Sequence, residues 1–304
     1  MGGRGSRFKD VNSTIPKPDD KSYLDFGNAD LDNEIHDHNN LTKNLKDSNI
    51  LVCQSLENMN EDIIKTNLNQ INTLSKKFDN LISKNLEDEG IKIRSYKMNR
   101  VSYTTGKSTA EYGVMALFAP GKKQICFNER TFKSDEQIIN LTKESQKSGY
   151  SVETDKGKEN LHIITHEYGH FIEQCIIEKH LQNDIHQWAK YRASSPIEKE
   201  EIRRVEARKI KQQIKDIATQ KYKAKPKQLI TSEYGEKDKY SFEWFAEVFA
   251  ESQLHTTEKP IVKAMKDYLK EEIKDVQIWK TIFLEESRMV LWWPKSWRPF
   301  KINW

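Results

Sequence analysis

His166-Glu167-Tyr168-Gly169-His170 constrains the fold of this chain more than any other stretch. Two imidazoles four residues apart leave the same face of a helix, separated by a little over one turn, about 6 Å along the axis. Both then reach one metal ion at about 2.0–2.1 Å. The His-Glu-x-x-His pattern is the one by which a helix grips a catalytic zinc ion. Glu167 lies beside the histidines, placed to take a proton from a water that the metal activates. Ile163, Ile164, Tyr168, Phe171 and Ile172 recur at helical spacing, so the segment is expected to be a packed helix. Two histidines do not complete a site, and the bland reading is a helix with two unrelated imidazoles.

A catalytic zinc takes three protein ligands and keeps one position open, so a third must come from elsewhere. The extended metzincin pattern needs glycine at 173 and histidine at 176. The residues are Glu173 and Ile176, which excludes it. The better candidate lies in Tyr240–Glu251, where Glu243 and Glu247 stand one helical turn apart among Phe242, Trp244, Phe245, Val248 and Phe249. Carboxylates in so apolar a helix are costly unless a cation or hydrogen-bond donor meets them. Glu243 is therefore the candidate third ligand. Glu247 is the candidate outer-shell carboxylate, accepting a hydrogen bond from a ligand histidine and fixing its tautomer. Read alone, the stretch also fits an amphipathic helix with solvent-facing acids.

The rest of the composition sets bounds. The chain has 304 residues, 36% hydrophobic and 32% charged, enough for a sizeable core in a polar protein. No apolar run approaches about 18 residues, so no membrane span is expected. The first residues carry no apolar h-region, so no standard secretory signal is expected. Cys53, Cys126 and Cys175 are odd in number and widely spaced, which suits a reducing compartment. A cytoplasmic protein follows, or one associated with a virion or delivered to another cell as an effector. The net charge of +4 is small but uneven. Residues 198–227 hold eleven Lys or Arg against five acids, and 288–304 add four basic residues and no acid. That distribution keeps a nucleic-acid partner open.

Residues 1–40, rich in Gly, Asn, Asp, Ser and Pro, read as a disordered tail. Its opening Met1-Gly2-Gly3-Arg4-Gly5-Ser6 fits the loose myristoylation pattern and equally a flexible glycine start. Residues 41–90 form a helical segment, with Leu56, Met59, Ile63, Leu68, Ile71, Leu74, Phe78, Leu81 and Ile82 at threes and fours. Three short strands are expected at Ile91–Arg94, Gly113–Ala119 and Gln124–Phe127, the last two a hairpin about Pro120-Gly121. A helix over Ser134–Ser148, stopped by Gly149, leads through the polar loop Asp155–Lys158 to the histidine helix. That helix is expected to continue over Ile176–Tyr191. A charged helix runs from Pro196 to Tyr222, within an insertion at about 196–227, and further helices fit Phe242–Ser252 and Ile261–Leu291. The principal domain spans 91–291. Residues 292–304 form a basic aromatic tail whose two prolines bar a regular helix.

A family resemblance rests on three motifs. They are His166-Glu167-Tyr168-Gly169-His170, then Ser232-Glu233-Tyr234-Gly235, then Glu243-Trp244-Phe245-Ala246-Glu247-Val248-Phe249-Ala250. Together they resemble the catalytic domain of anthrax lethal factor and its phage-associated relatives. These are gluzincins, zinc metallopeptidases whose third ligand is a glutamate. A weaker likeness extends upstream to Lys77-Phe78-Asp79-Asn80-Leu81, the strand pair and Ser148-Gly149-Tyr150, so it covers roughly residues 60–255.

The resemblance implies an α+β, zincin-like metallopeptidase fold: a small mixed sheet with an antiparallel edge hairpin packed on the histidine helix, then a mostly helical C-terminal part. It implies one catalytic zinc ion held by His166, His170 and Glu243, with Glu167 as general base and Glu247 behind the ligands. Tyr234 matches a tyrosine that donates to the oxyanion. The interval from Tyr234 to Glu243 is longer than in that family, leaving Tyr240 as a rival, while Ser232 and Gly235 favour Tyr234. The implied activity is that of a zinc-dependent endopeptidase on a protein or peptide substrate; strand propensity alone suggests that an extended peptide lies along an edge strand within 112–128. The alternative is a phage-associated structural or nucleic-acid-binding protein with a non-catalytic zincin fold. Specificity and oligomeric state depend on cleft walls and surfaces that motif spacing does not encode.

Overall fold

The computed structural model describes residues 4–7, 50–52, 60–82, 91–96, 101–105, 108–112, 114–128, 132, 134–237 and 242–274. Seven strands lie among them: β1 (Arg4–Arg7), β2 (Ile50–Val52), β3 (Ile91–Tyr96), β4 (Val101–Thr105), β5 (Ser108–Tyr112), β6 (Val114–Ala119) and β7 (Gln124–Asn128). Five form a mixed sheet in the order β1-β6-β7-β3-β2, and β4 pairs with β5 separately. The β6–β7 hairpin follows from its sequence. Pro120–Lys122 make a 3-10 turn, Lys123 takes a left-handed φ of 47°, and Ala119 faces Gln124 across the strands. β3 and β2 then add in parallel.

The helices are α1 (Glu61–Lys77), α2 (Asp79–Ile82), α3 (Asp135–Lys147), α4 (His162–Gln182), α5 (Ile185–Ala193), α6 (Pro196–Tyr222), α7 (Glu233–Lys237) and α8 (Phe242–Leu254), with α9 over 260–274. The described chain is thus α+β and mostly helical. In α1 the Asn60 side chain accepts from the backbone N–H groups of Asp62 and Ile63, and acids lead while lysines end the helix, complementing its dipole. Ile63, Ile64, Leu68, Ile71 and Leu74 form its buried stripe. Two polar contacts tie α1 to α4: Gln70 donates to Thr165 Oγ1 at 3.0 Å, and Ser75 Oγ lies 3.0 Å from Tyr168 OH.

α4 and α8 are different in kind. All of α4 except His180 and Gln182 is buried, and all of α8 except Gln253. A helix buried on every face belongs to the centre of a domain, and these two pack on each other. The sheet closes one side of α4, where the Phe118 ring meets Phe171 edge-on at 6.0 Å.

Several expectations change. Arg4–Arg7, inside the segment read as a disordered tail, forms a strand, and so does Ile50–Val52 within the expected helical region. Main-chain pairing onto an existing sheet needs no apolar pattern, so periodicity does not reveal Arg4–Arg7, while the apolar run Ile50-Leu51-Val52 is too short to separate strand from helix. The β6–β7 hairpin is not an edge, because β1 and β3 flank it. An edge strand within 112–128 is therefore not open to an incoming peptide while β1 is in place. The histidine helix also stops short of Tyr191. Asp184 accepts from the N–H groups of His186 and Gln187 and starts α5 as a separate helix. Tyr240, the remainder of the 1–40 tail, the extension of α9 towards Leu291 and the 292–304 tail lie outside the described residues.

Candidate metal centre

The seam between α4 and α8 is close because its facing residues are small. A Cβ on Gly169 would lie 3.0 Å from the Ala246 Cα and 3.1 Å from Phe249 Cδ1. Ala246 sits between Glu243 and Glu247, so this approach brings both carboxylates to the histidine face of α4. His166 and Glu167 are fully buried, and His170, Glu243 and Glu247 nearly so.

His166 Nε2 is 3.1 Å from Glu243 Oε2, and His170 Nε2 is 3.4 Å from the same oxygen. On its other side, His166 Nδ1 lies 2.9 Å from Glu247 Oε1. Glu247 Oε2 in turn accepts from the backbone N–H of Val152 at 2.9 Å. The carboxylate is thereby anchored to the loop that precedes α4, and it sets which His166 nitrogen faces Glu243.

Electrostatics follow the geometry. Burial alone would lower His166, but its contacts with Glu243 and Glu247, helped by the Glu247 and Glu167 charges, raise it to about 10. Burial opposes ionisation of Glu243, yet the His170 charge and the His166 hydrogen bond hold it well below the usual carboxylate range. Glu247 is likewise depressed, against burial, chiefly by His166 and also by the Val152 N–H. In the protein alone, imidazolium charge thus balances these buried acids; a bound metal cation would take over that role with the imidazoles neutral, since an unpaired buried ion costs several kcal/mol.

The arrangement fits a tetrahedral metal ion. Two ligand atoms each about 2.1 Å from such an ion stand about 3.4 Å apart, against 3.1 and 3.4 Å here. One donor atom from each of His166, His170 and Glu243 lies within 4.8 Å of the other two. Two imidazoles with one carboxylate is a donor set suited to zinc.

Tyr234 reaches the same place by another route. Ser232 Oγ accepts from the Gly235 N–H at 3.0 Å, and Gly235 sits where a Cβ would be 3.2 Å from the Trp244 Cα. α7 therefore packs closely on the start of α8. The N–H groups of Glu233 and Tyr234 donate to the carbonyls of Gly149 and Tyr150, with Gly149 in a left-handed turn at φ 72°. The half-buried Tyr234 ring then lies 5.2 Å from the Tyr150 ring and 6.1 Å from His166.

Three features escape the motif. His162 is four residues before His166, fully buried, with Nε2 3.9 Å from Glu247 Oε1. Burial keeps it neutral, lowering it to about 4 against the raising effect of Glu247. Its i−4 spacing was the available signal. Asp155 is the second: its N–H donates to Leu254 O, while its carboxylate accepts from the Thr256 N–H and hydroxyl, each at 2.9 Å. It fastens the loop before α4 to the end of α8. The third is another histidine–carboxylate group, Glu153, Glu251 and His255. There the Lys259 ammonium stands 2.7 Å from Glu251 Oε1 and 3.7 Å from Glu153, so a cation is already supplied by the chain. No protein-family model, curated protein or solved structure matches this chain.

Proposed function

We propose that this protein is a zinc-dependent endopeptidase of the gluzincin type, with a zincin-like fold and one ion held by His166, His170 and Glu243. The observation that carries this reading is the approach of one Glu243 oxygen to both imidazoles, from a separate helix 77 residues downstream of His166. Zinc held there would supply Lewis acidity, polarising a scissile carbonyl and lowering the pKa of an attacking water towards about 7. Glu167, fully buried and next to His166 in the sequence, would serve as the general base, accepting the proton of the attacking water and returning it to the departing amine. Glu247 keeps His166 turned so that Nε2 faces Glu243. Tyr234, beside the His166 ring, is the candidate donor to the oxygen on which negative charge develops.

The nucleic-acid alternative draws on the basic stretch 198–227, most of which lies on α6. Lys209, Lys211, Lys215 and Lys221 lie 2.6–3.9 Å from carboxylates of the protein itself. Lys211 and Lys215 also cover the Trp244 ring, at 5.2 and 5.5 Å. The stretch therefore offers less open positive charge than its composition implies, and a protein or peptide is the favoured partner. Among the described residues no helix is long and apolar enough to cross a membrane.

Glu167→Gln tests the reading. It keeps the ligands and removes the base, so peptide-library cleavage should fall about 10²–10⁴-fold while zinc stoichiometry stays unchanged. Full activity in this variant would sink the assignment.

A further inference from the structure

β6 has no open backbone edge. On one side it pairs with β7. On the other it pairs antiparallel with β1, Arg4 opposite Phe118, Gly5 opposite Leu117 and Arg7 opposite Val114. The Arg4 end of this ladder is tied to the histidine helix, because Phe118, opposite Arg4, packs against Phe171, the residue after His170. β1 itself also lies against α4.

β1 is nevertheless a weak occupant. It has four residues, and its register slips between Gly5 and Arg7; a bulge of this kind disrupts the ladder locally. It is the outermost strand of its sheet. Arg4-Gly5-Ser6-Arg7 contains no apolar residue, and it is joined to β6 by main-chain pairing. Any extended peptide offers the same N–H and C=O groups, and pairing of this kind is tolerant of sequence.

We propose that Arg4–Arg7 is an internal occupant of the strand-addition site, so that an extended peptide must displace it in order to pair with β6. That the peptide is a substrate rests on the peptidase reading; the displacement does not. A site available only part of the time weakens apparent affinity by the fraction open. Freeing β6 should therefore lower KM and leave kcat unchanged.

The test uses the full chain carrying Gly5→Pro and Ser6→Pro. Successive residues of an antiparallel strand alternate between bonding their neighbour and facing away. One of the two prolines thus removes a donor to β6 in either register. A second variant lacking residues 1–8 removes the strand outright. Hydrogen exchange is read at the β6 amides, with the β7 amides as the folding control. The proposal expects alternate β6 amides to exchange about tenfold faster in both variants. A synthetic peptide of residues 1–10 should restore their protection, and KM for a cleavable peptide should fall about fivefold or more. Unchanged β6 exchange, or no restoration by the peptide, overturns it. Faster, peptide-reversible exchange in a protein that cleaves nothing would support the displacement and count against the peptidase reading alone.

Discussion

Glu243 and Glu251 stand two turns apart on α8, both are buried, and each has a histidine nearby. They are balanced in different ways. Glu251 receives the Lys259 ammonium at 2.7 Å, with His255 at 3.5 Å. Glu243 is met by two imidazoles at 3.1 and 3.4 Å. An ammonium has no lone pair to give a metal, whereas an imidazole has one once a binding metal displaces its extra proton. The two ends of one helix therefore carry one acid neutralised by its own chain and one in a set that a metal can complete. A pattern of Glu at every fourth position does not distinguish them.

The sharpest way to break this comparison is to remove each acid in turn. Glu243→Ala should cost more zinc affinity than the roughly 10–100-fold typical of an outer-shell change, whereas Glu251→Ala should leave stoichiometry unaltered. Competition with a chelator of known affinity reads both, and equal losses would dissolve the distinction. Glu247→Gln comes next. It leaves the three ligands and alters only what holds His166, so zinc affinity should drop by about 10–100-fold. An unchanged value would make Glu247 a packing residue.

A smaller effect concerns how the helices meet. Gly169→Ala gains about 1 kcal/mol of helix propensity but must displace backbone at 3.0 Å. Overpacking of a tight core costs about 1–3 kcal/mol, so the variant should be less stable in urea and bind zinc more weakly. A stabilised protein with intact affinity would show that the seam has room to spare.

How much of this is legible in the chain varies by residue. The α1 stripe and the Pro120-Gly121 hairpin are visible because each rests on local periodicity or turn chemistry. His166 and His170 are visible because four-residue spacing is a property of one helix. Glu243 is legible only as an anomaly, a carboxylate among aromatics. The strand signal at Ile50-Leu51-Val52 and Val101–Thr105 lies in β-branched and aromatic residues over runs too short to be periodic, whereas β1 is not legible, since Arg-Gly-Ser-Arg acquires strand character only from a neighbour. Gly169 against Ala246 is invisible for the same reason: each is an ordinary small residue until the two helices cross. Asp155 likewise needs Leu254 and Thr256, distant in sequence, to have a role.

The smallest expected effect is at Asp155. The Thr256 backbone N–H, then its hydroxyl, hold this carboxyl at about 2, below the ordinary 3.8. A depressed carboxylate stabilises the fold above its ordinary pKa and loses that contribution as pH falls through the folded value. The latch should thus be intact above about pH 4 and weaken towards pH 2. Carbon NMR of the Asp155 carboxyl should titrate near 2, and Thr256→Val should move it part of the way up. A titration at the ordinary value would leave α8 without this tie to the loop before α4.

The central claim is that the α4–α8 seam, and not the Glu251 end, holds one metal ion. Anomalous scattering from zinc-supplied crystals, measured on both sides of the zinc absorption edge, tests this directly. The expected result is one peak at about 2.0–2.2 Å from His166 Nε2, His170 Nε2 and a Glu243 oxygen. A peak among Glu153, Glu251 and His255, or no peak at the seam, would contradict it.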